Sequence, residues 1–316
     1  MLLRKNETIR KMISETQLKV ENLIMPFFVT EGINIKKPIK CFPKIFHLSI
    51  DNLLKEIEEI DKLNIPAILI FGVSGKKDKI GSYSWSKSGI VQKAVKEIKL
   101  RFPEIILITD VCLCGYKSDG HCGIFKGSEI DINLTLKYLS KIALSHSDYG
   151  ADFVAPSAMM AGQVKAIRNV LNKNGFNNVG ILDYSAKFAS NFYGPFRESL
   201  NSNPKFGDRK MYQLDYSNTN AALKRMEESI KEGADIIMIK PALAYLDIIK
   251  IAKQKFNVPI AAYNVSGEYS MVKFGSEKHI FNEKNIILEI LTAIKRAGAD
   301  LIITYHAKDV ARWLKK

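Results

Sequence analysis

The chain has 316 residues, 47% of them hydrophobic, which is enough for a sizeable core and normal for an elaborated α/β barrel. No apolar run approaches the length of a membrane span, and the N-terminus is charged, so neither a membrane partner nor a secretory leader is expected. The formal net charge is +14, yet the lysines are spread along the chain instead of clustering with aromatics, so no nucleic-acid partner is expected either.

Residues 1–20 are polar and basic, with helical spacing at Ile9, Met12 and Ile13. They hold too few apolar residues to stand alone, and are read as an N-terminal arm for packing on the barrel or on a partner subunit. From residue 21 to 316, short β-rich runs alternate with helical periodicity. The strand candidates are Leu23–Val29, Ala67–Val73, Ile105–Leu113, Asp152–Pro156, Val179–Ser185, Ile236–Lys240, Ile260–Val265 and Leu301–Tyr305. Eight strands alternating with helices predict an α/β fold of the (β/α)8 TIM-barrel type. A doubly wound open sheet is the alternative, weakened because no G-x-G-x-x-G follows any strand. The triplet Gly-Ala-Asp recurs at 150–152, 233–235 and 298–300, each time before a strand. These are read as the bottom-face turns of strands four, six and eight. A long insertion at about 186–218, with Gly194-Pro195, Asn203-Pro204 and Gly207-Asp208, is read as an active-site lid.

Three of the four cysteines fall in one stretch, Cys112-Leu113-Cys114 and then His121-Cys122-Gly123. On a strand, residues i and i+2 share a face, so Cys112 and Cys114 can aim at one point. A turn with Gly115 and Gly120 returns Cys122 to it. Three thiolates without an obvious fourth ligand suit a catalytic zinc with an open position. A closed site with His121 as fourth ligand, or three free thiols, are the alternatives. Clustered cysteines without a disulfide framework suit a reducing cytoplasm.

In a barrel the active site lies at the C-terminal ends of the strands. Those ends carry Asp110, the cysteines, Ser157, Lys187, Lys240, Ser266 and Tyr305. A lysine at the end of an apolar strand is partly desolvated, and a second cation nearby depresses its pKa further. The neutral amine so favoured attacks carbonyls to form a Schiff base. Either lysine alone could simply snorkel to solvent. The lid carries Arg197, Arg209 and Gln213; a guanidinium suits bidentate capture of a carboxylate, although a lone loop arginine is usually solvated. Ser266 and Tyr305 could hold a second carboxylate through hydroxyls, or be ordinary polar residues at strand ends. These residues alone describe a Schiff-base lyase or condensing enzyme beside a zinc.

The segments DVCLC with GHCG, YSAKFAS with FYGPFR, GDRKMYQL, MIKPALAYLD, YNVSGEY and ITYHAKD resemble the porphobilinogen synthase (5-aminolevulinate dehydratase) family, from about Arg10 to Leu314. The resemblance implies condensation of two 5-aminolevulinate molecules to porphobilinogen, in tetrapyrrole and heme biosynthesis. It assigns Lys240 to the first substrate and Lys187 to the second, both as imines. Zinc falls to Cys112, Cys114 and Cys122, and assistance in proton transfer to Asp110. The second substrate's carboxylate goes to Arg197, Arg209 and Gln213, and the first's to Ser266 and Tyr305; Ser157 and Tyr263 join the substrate site. It also implies a homo-octamer of dimers joined through the arm.

The chain departs from the family pattern in three places. Where the family reads APSDMMDGRV, Ala158, Ala161 and Gln163 replace two carboxylates and an arginine. Their joint loss suggests a charge network dismantled as a unit, and leaves open a member that folds but works poorly. The loop CEYTSHGHCG becomes CGYKSDGHCG, which keeps the ligands but changes what surrounds them. Arg225 aligns with a glutamate of the magnesium-binding members, so no allosteric magnesium is expected. A one-lysine aldolase-type enzyme and a basic nucleic-acid-binding or structural zinc protein are the competing readings.

Overall fold

The computed structural model describes residues 2–315. Eight parallel strands close into a barrel: β1 (Leu23–Thr30), β2 (Ala67–Val73), β3 (Ile106–Val111), β4 (Phe153–Pro156), β5 (Gly180–Lys187), β6 (Ile236–Lys240), β7 (Ile260–Asn264) and β8 (Leu301–Thr304). Closure is made where Leu23 and Ile24 of β1 pair with Ile302 and Ile303 of β8. Helices cover the outside, so the strands are buried on both faces and read as continuous apolar runs; all five residues of β7 are buried.

Two details differ from the sequence expectation. The third strand stops at Val111, so Cys112 and Cys114 lie in the loop beyond it and converge by a turn, not by strand alternation. Between β1 and β2 an unexpected antiparallel hairpin, Lys36–Ile39 with Phe42–Leu48, adds to the barrel rim, its second strand pairing with Phe28 and Val29. Its first strand is mostly exposed and contains lysines and a proline, so it lacks the apolar signature of a core strand.

The Gly-Ala-Asp repeat is a structural device at the bottom of the barrel. Each glycine has a positive φ, 104° at Gly150, 102° at Gly233 and 127° at Gly298, which an L side chain rarely adopts. Each aspartate then grips the preceding odd strand. Asp152, Asp235 and Asp300 accept from the backbone N–H groups of Leu107, Ile181 and Ile260, and donate their own N–H to the carbonyl of the same residue. Each also pairs with a cation from the helix before that strand: Lys99 at 3.0 Å, Arg168 at 2.6 Å and Lys253 at 2.9 Å.

At the N-terminus a short helix, Glu7–Met12, follows a 3-10 turn. Residues 2–15 are exposed apart from half-buried Ile9, with Leu2, Leu3, Met12 and Ile13 presenting apolar side chains to solvent. Among the described residues, no helix is long and apolar enough to cross a membrane.

Candidate active site at the strand ends

Strands β5 and β6 end on lysines that face each other across the ladder, Lys187 being the register partner of Lys240. Both are buried. The Lys187 Nζ donates to the Ser157 carbonyl at 2.6 Å. The Lys240 Nζ sits in an aromatic cage: 4.2 Å from the Tyr263 ring centre, 4.7 Å from Phe196, 5.1 Å from Tyr184 and 5.2 Å from Tyr193. Burial pushes the Lys240 amine well below the usual lysine range, and the charge of Lys187 adds to the effect. The pair therefore combines a hydrogen-bonded amino group, that of Lys187, with an amine, that of Lys240, held toward its neutral, nucleophilic form.

Asp110, at the end of β3, faces both lysines. Burial raises its carboxyl to about 6, against the opposing influence of the Ser157 hydroxyl, Lys187 and Lys240. Its Oδ1 has no hydrogen-bond partner among the described residues, so it is free to exchange a proton with a bound molecule.

The three cysteines converge beside this cluster. Their sulfurs lie within 4.8 Å of one another, all buried, with Cys112 and Cys114 3.4 Å apart. The Cys122 thiol is held well below its ordinary range, chiefly by hydrogen bonds from Cys112 and Cys114 and then by the positive charges of Arg209 and Lys187. Zinc–sulfur bonds of about 2.3 Å would set tetrahedral sulfurs roughly 3.8 Å apart, within the observed span. The donor set thus fits zinc. His121 is committed elsewhere: Nδ1 lies 3.1 Å from the Tyr212 hydroxyl and Nε2 2.9 Å from the Phe206 carbonyl. A closed site with His121 as fourth ligand is therefore not what the fold builds.

Residues 188–218 cover the mouth of the barrel. They contain the helix Gly194–Ser199, whose Phe196 ring packs on Phe71 at 4.9 Å and reaches Lys240. A cavity of about 300 Å³ opens within this segment, lined by Arg197, Arg209, Gln213, Ser190, Asn191 and Lys210 among others. The Nε atoms of Arg197 and Arg209 and both polar atoms of the Gln213 side chain are buried without hydrogen-bond partners among the described residues. Unsatisfied buried donors cost free energy, and a ligand carboxylate accepting from the two arginine Nε and the Gln213 Nε2 would relieve that cost. The three lid residues singled out in the sequence are thereby brought to one cavity.

The remaining sequence candidates lie at the lysine side. The Tyr263 and Tyr305 hydroxyls meet at 3.0 Å. The Ser266 hydroxyl is engaged with the covering segment, accepting from the Phe196 N–H at 3.1 Å and donating to the Phe192 carbonyl at 3.2 Å. Ser157 contributes its carbonyl to Lys187.

Sequence reasoning missed several residues that shape the site. Tyr193 donates its hydroxyl to the Lys240 carbonyl at 3.0 Å. Glu268, buried, accepts from the backbone N–H groups of Leu243 and Val265 and from the Asn264 amide, tying the turn after Lys240 to the end of β7. Its burial raises its carboxyl to about 7. Both residues fall inside quoted motifs, FYGPFR and YNVSGEY, but nothing in their spacing reveals what they touch.

The departures at 158–163 also have a structural outcome. Ala158 is buried next to Ser157. Gln163 donates to the Pro156 carbonyl and, at 2.7 Å, to Asp183, while accepting from the Met160 N–H. Asp183 accepts two further bonds, from Ser185 and Ser229. One buried carboxylate, Asp183, is thus satisfied by neutral donors. Arg225 donates to the Met160 carbonyl and lies 3.6–3.7 Å from Glu232 and Glu228.

The family profile described as "Delta-aminolevulinic acid dehydratase" matches residues 2–313. Curated relatives of that name from Methanothermus sociabilis and Bacillus subtilis (strain 168) are 53% and 48% identical, covering 98% and 99% of this chain and 96% of each relative. A crystal structure of delta-aminolevulinic acid dehydratase (porphobilinogen synthase) from Toxoplasma gondii ME49, in complex with the reaction product porphobilinogen, superposes with a TM-score of 0.96. It is 40% identical, over 98% of this chain and 89% of that one.

Proposed function

The chain belongs to the delta-aminolevulinic acid dehydratase family, and on that premise we propose that it joins two 5-aminolevulinate molecules into porphobilinogen through imines on both lysines. The observation that carries this reading is the pair Lys187 and Lys240, buried side by side on neighbouring strands. Each neutral amine attacks a ketone carbon and forms a C=N bond as one water leaves. Each lysine is released as an amine when the bond that replaces it forms, so the net loss is two waters. Two covalent tethers also turn an encounter of like molecules into an intramolecular reaction.

The other residues divide the remaining work. Lys240 takes the first substrate, with Tyr263, Tyr305 and Ser266 at its carboxylate end. Lys187 takes the second, whose carboxylate enters the cavity lined by Arg197, Arg209 and Gln213. Asp110 accepts and returns protons between the lysines, its raised pKa matching that task. Ser157 positions Lys187. Cys112, Cys114 and Cys122 would hold a zinc ion, which when bound supplies Lewis acidity beside the second substrate. Residues 188–218 act as a lid that excludes water. Clustered thiols suit a reducing cytoplasm, and the solvent-facing Leu2, Leu3, Met12 and Ile13 suit an arm that docks on another copy of the chain.

Porphobilinogen formation by the purified protein, with added zinc and with a chelator, tests the reading. Zinc-dependent product is expected. Undiminished product after full chelation would remove the metal from the mechanism and leave the reaction standing. No product from folded, zinc-loaded protein would overturn the reaction itself and make Ala158 and its neighbours the lesion.

A further inference from the structure

The loop between Cys114 and Cys122 contains a lysine, Lys117, that is only 2% exposed. Its ammonium lies 3.1 Å from an Asp119 carboxylate oxygen and also donates to the Gly123 carbonyl. Asp119 uses its other oxygen to accept from the His121 N–H at 2.9 Å. The pair therefore holds the peptide groups on both sides of Cys122, while the Cys122 N–H donates to Tyr212. The loop is fixed from outside as well, because Asp78 exchanges backbone hydrogen bonds with Tyr116 and Ser118.

A buried ammonium is a poor way to gain net stability, since desolvation offsets most of the attraction to its partner. What such a pair supplies well is position. We propose that the Lys117–Asp119 ion pair is a strap that presets Cys122 for metal binding, making both positioning residues of the metal site. The inference rests on the reading of the three cysteines as zinc ligands. Groups that orient metal ligands are commonly worth about 10–100-fold in affinity.

The test uses the full chain. Zinc affinity is measured by competition with a chromophoric chelator, and the thiolate-to-cobalt charge-transfer band is recorded for the cobalt(II) form. For Lys117→Met the expected result is a loss of zinc affinity of roughly tenfold or more, with a weakened or shifted cobalt band. The metal-free protein should keep its melting temperature to within a few degrees. Wild-type affinity and an unchanged band in Lys117→Met would overturn the proposal. Should Lys117→Met not fold, Asp119→Asn decides, since that carboxylate is 26% exposed and tolerates replacement; unchanged affinity there overturns the strap. A wild-type protein that binds neither ion would instead overturn the zinc reading, and the strap with it.

Discussion

At the scale of single residues, the two lysines are built differently although they are ladder partners. Lys187 is bonded to a carbonyl, whereas the Lys240 amine sits among four aromatic rings. Mutation should expose the difference. Borohydride reduction in the presence of 5-aminolevulinate is expected to trap one substrate on Lys240 in the Lys187→Met variant. The Lys240→Met variant should trap far less, and neither should form product. Peptide mass mapping checks this, and product from either variant would favour a one-lysine aldolase. Asp110 gives a pH signature. Its carboxyl, raised to about 6, is ionised above that value and able to accept a proton. kcat/KM should therefore fall as pH drops through about 6. Asp110→Asn should lose roughly a hundredfold in rate, together with that acid limb. Retention of the limb in the variant's residual activity would assign it to another group. The lysines and cysteines were legible in the sequence because charge and sulfur at the end of an apolar run are conspicuous, and Arg197 and Arg209 because they stand in an unusually long insertion. Glu268 and Lys117 were not, because what matters in each is the set of peptide groups it reaches, which only the fold assembles.

Elements show the same division. The core strands were legible because parallel strands covered on both faces must be apolar throughout. The hairpin Lys36–Leu48 was hidden by its exposure, and the convergence of Cys112 with Cys114 was assigned to a strand that in fact ends at Val111, before either cysteine. The proposed lid lies on the start of the helix Ser266–Glu277, where a Cβ added to Gly267 would come 2.5 Å from the Phe192 carbonyl oxygen. Gly267→Ala is expected to push the lid away, raising KM severalfold and speeding limited proteolysis between residues 188 and 218. Wild-type KM and proteolysis would separate this contact from lid closure. The helix Ile132–Asp148 carries a different liability. His146 is fully buried, and burial lowers its pKa to about 3 against the weaker opposing influence of the Ser84 backbone. Unfolding returns it to about 6.5, so the unfolded chain binds a proton that the folded chain refuses. Stability contributed by this neutral histidine is present above pH 6.5 and lost as pH falls from there toward 3. Between pH 7 and pH 5 the loss is about 2 kcal/mol. Urea unfolding of His146→Leu at the two pH values should show that much less pH dependence than the wild type.

Over the whole molecule, chemistry and cohesion are placed at opposite ends of the barrel. All the proposed catalytic groups lie at or beyond the C-terminal ends of the strands, while the Gly-Ala-Asp clamps sit at the N-terminal ends, the face of a barrel that serves stability. The three clamps are equivalent in their bonds, each joining an odd strand, the entry to the next even strand and one outer helix. The sequence displayed this repeat as a triplet, but its purpose required the third dimension, since the partners Leu107, Ile181 and Ile260 share no motif. If the ends are independent, breaking a clamp must cost stability without touching catalysis. Asp235→Ala removes the acceptor of the Ile181 N–H and the partner of Arg168, which should cost roughly 1–3 kcal/mol for the stranded buried donor. Denaturant unfolding should show that loss, while kcat and KM of the folded fraction stay at wild-type values, because sites so far apart with no shared partner behave additively. A fall in kcat at full folding would mean that the register set at the bottom of β5 and β6 reaches Lys187 and Lys240 at the top. In that case the strands, and not only their ends, would belong to the active site.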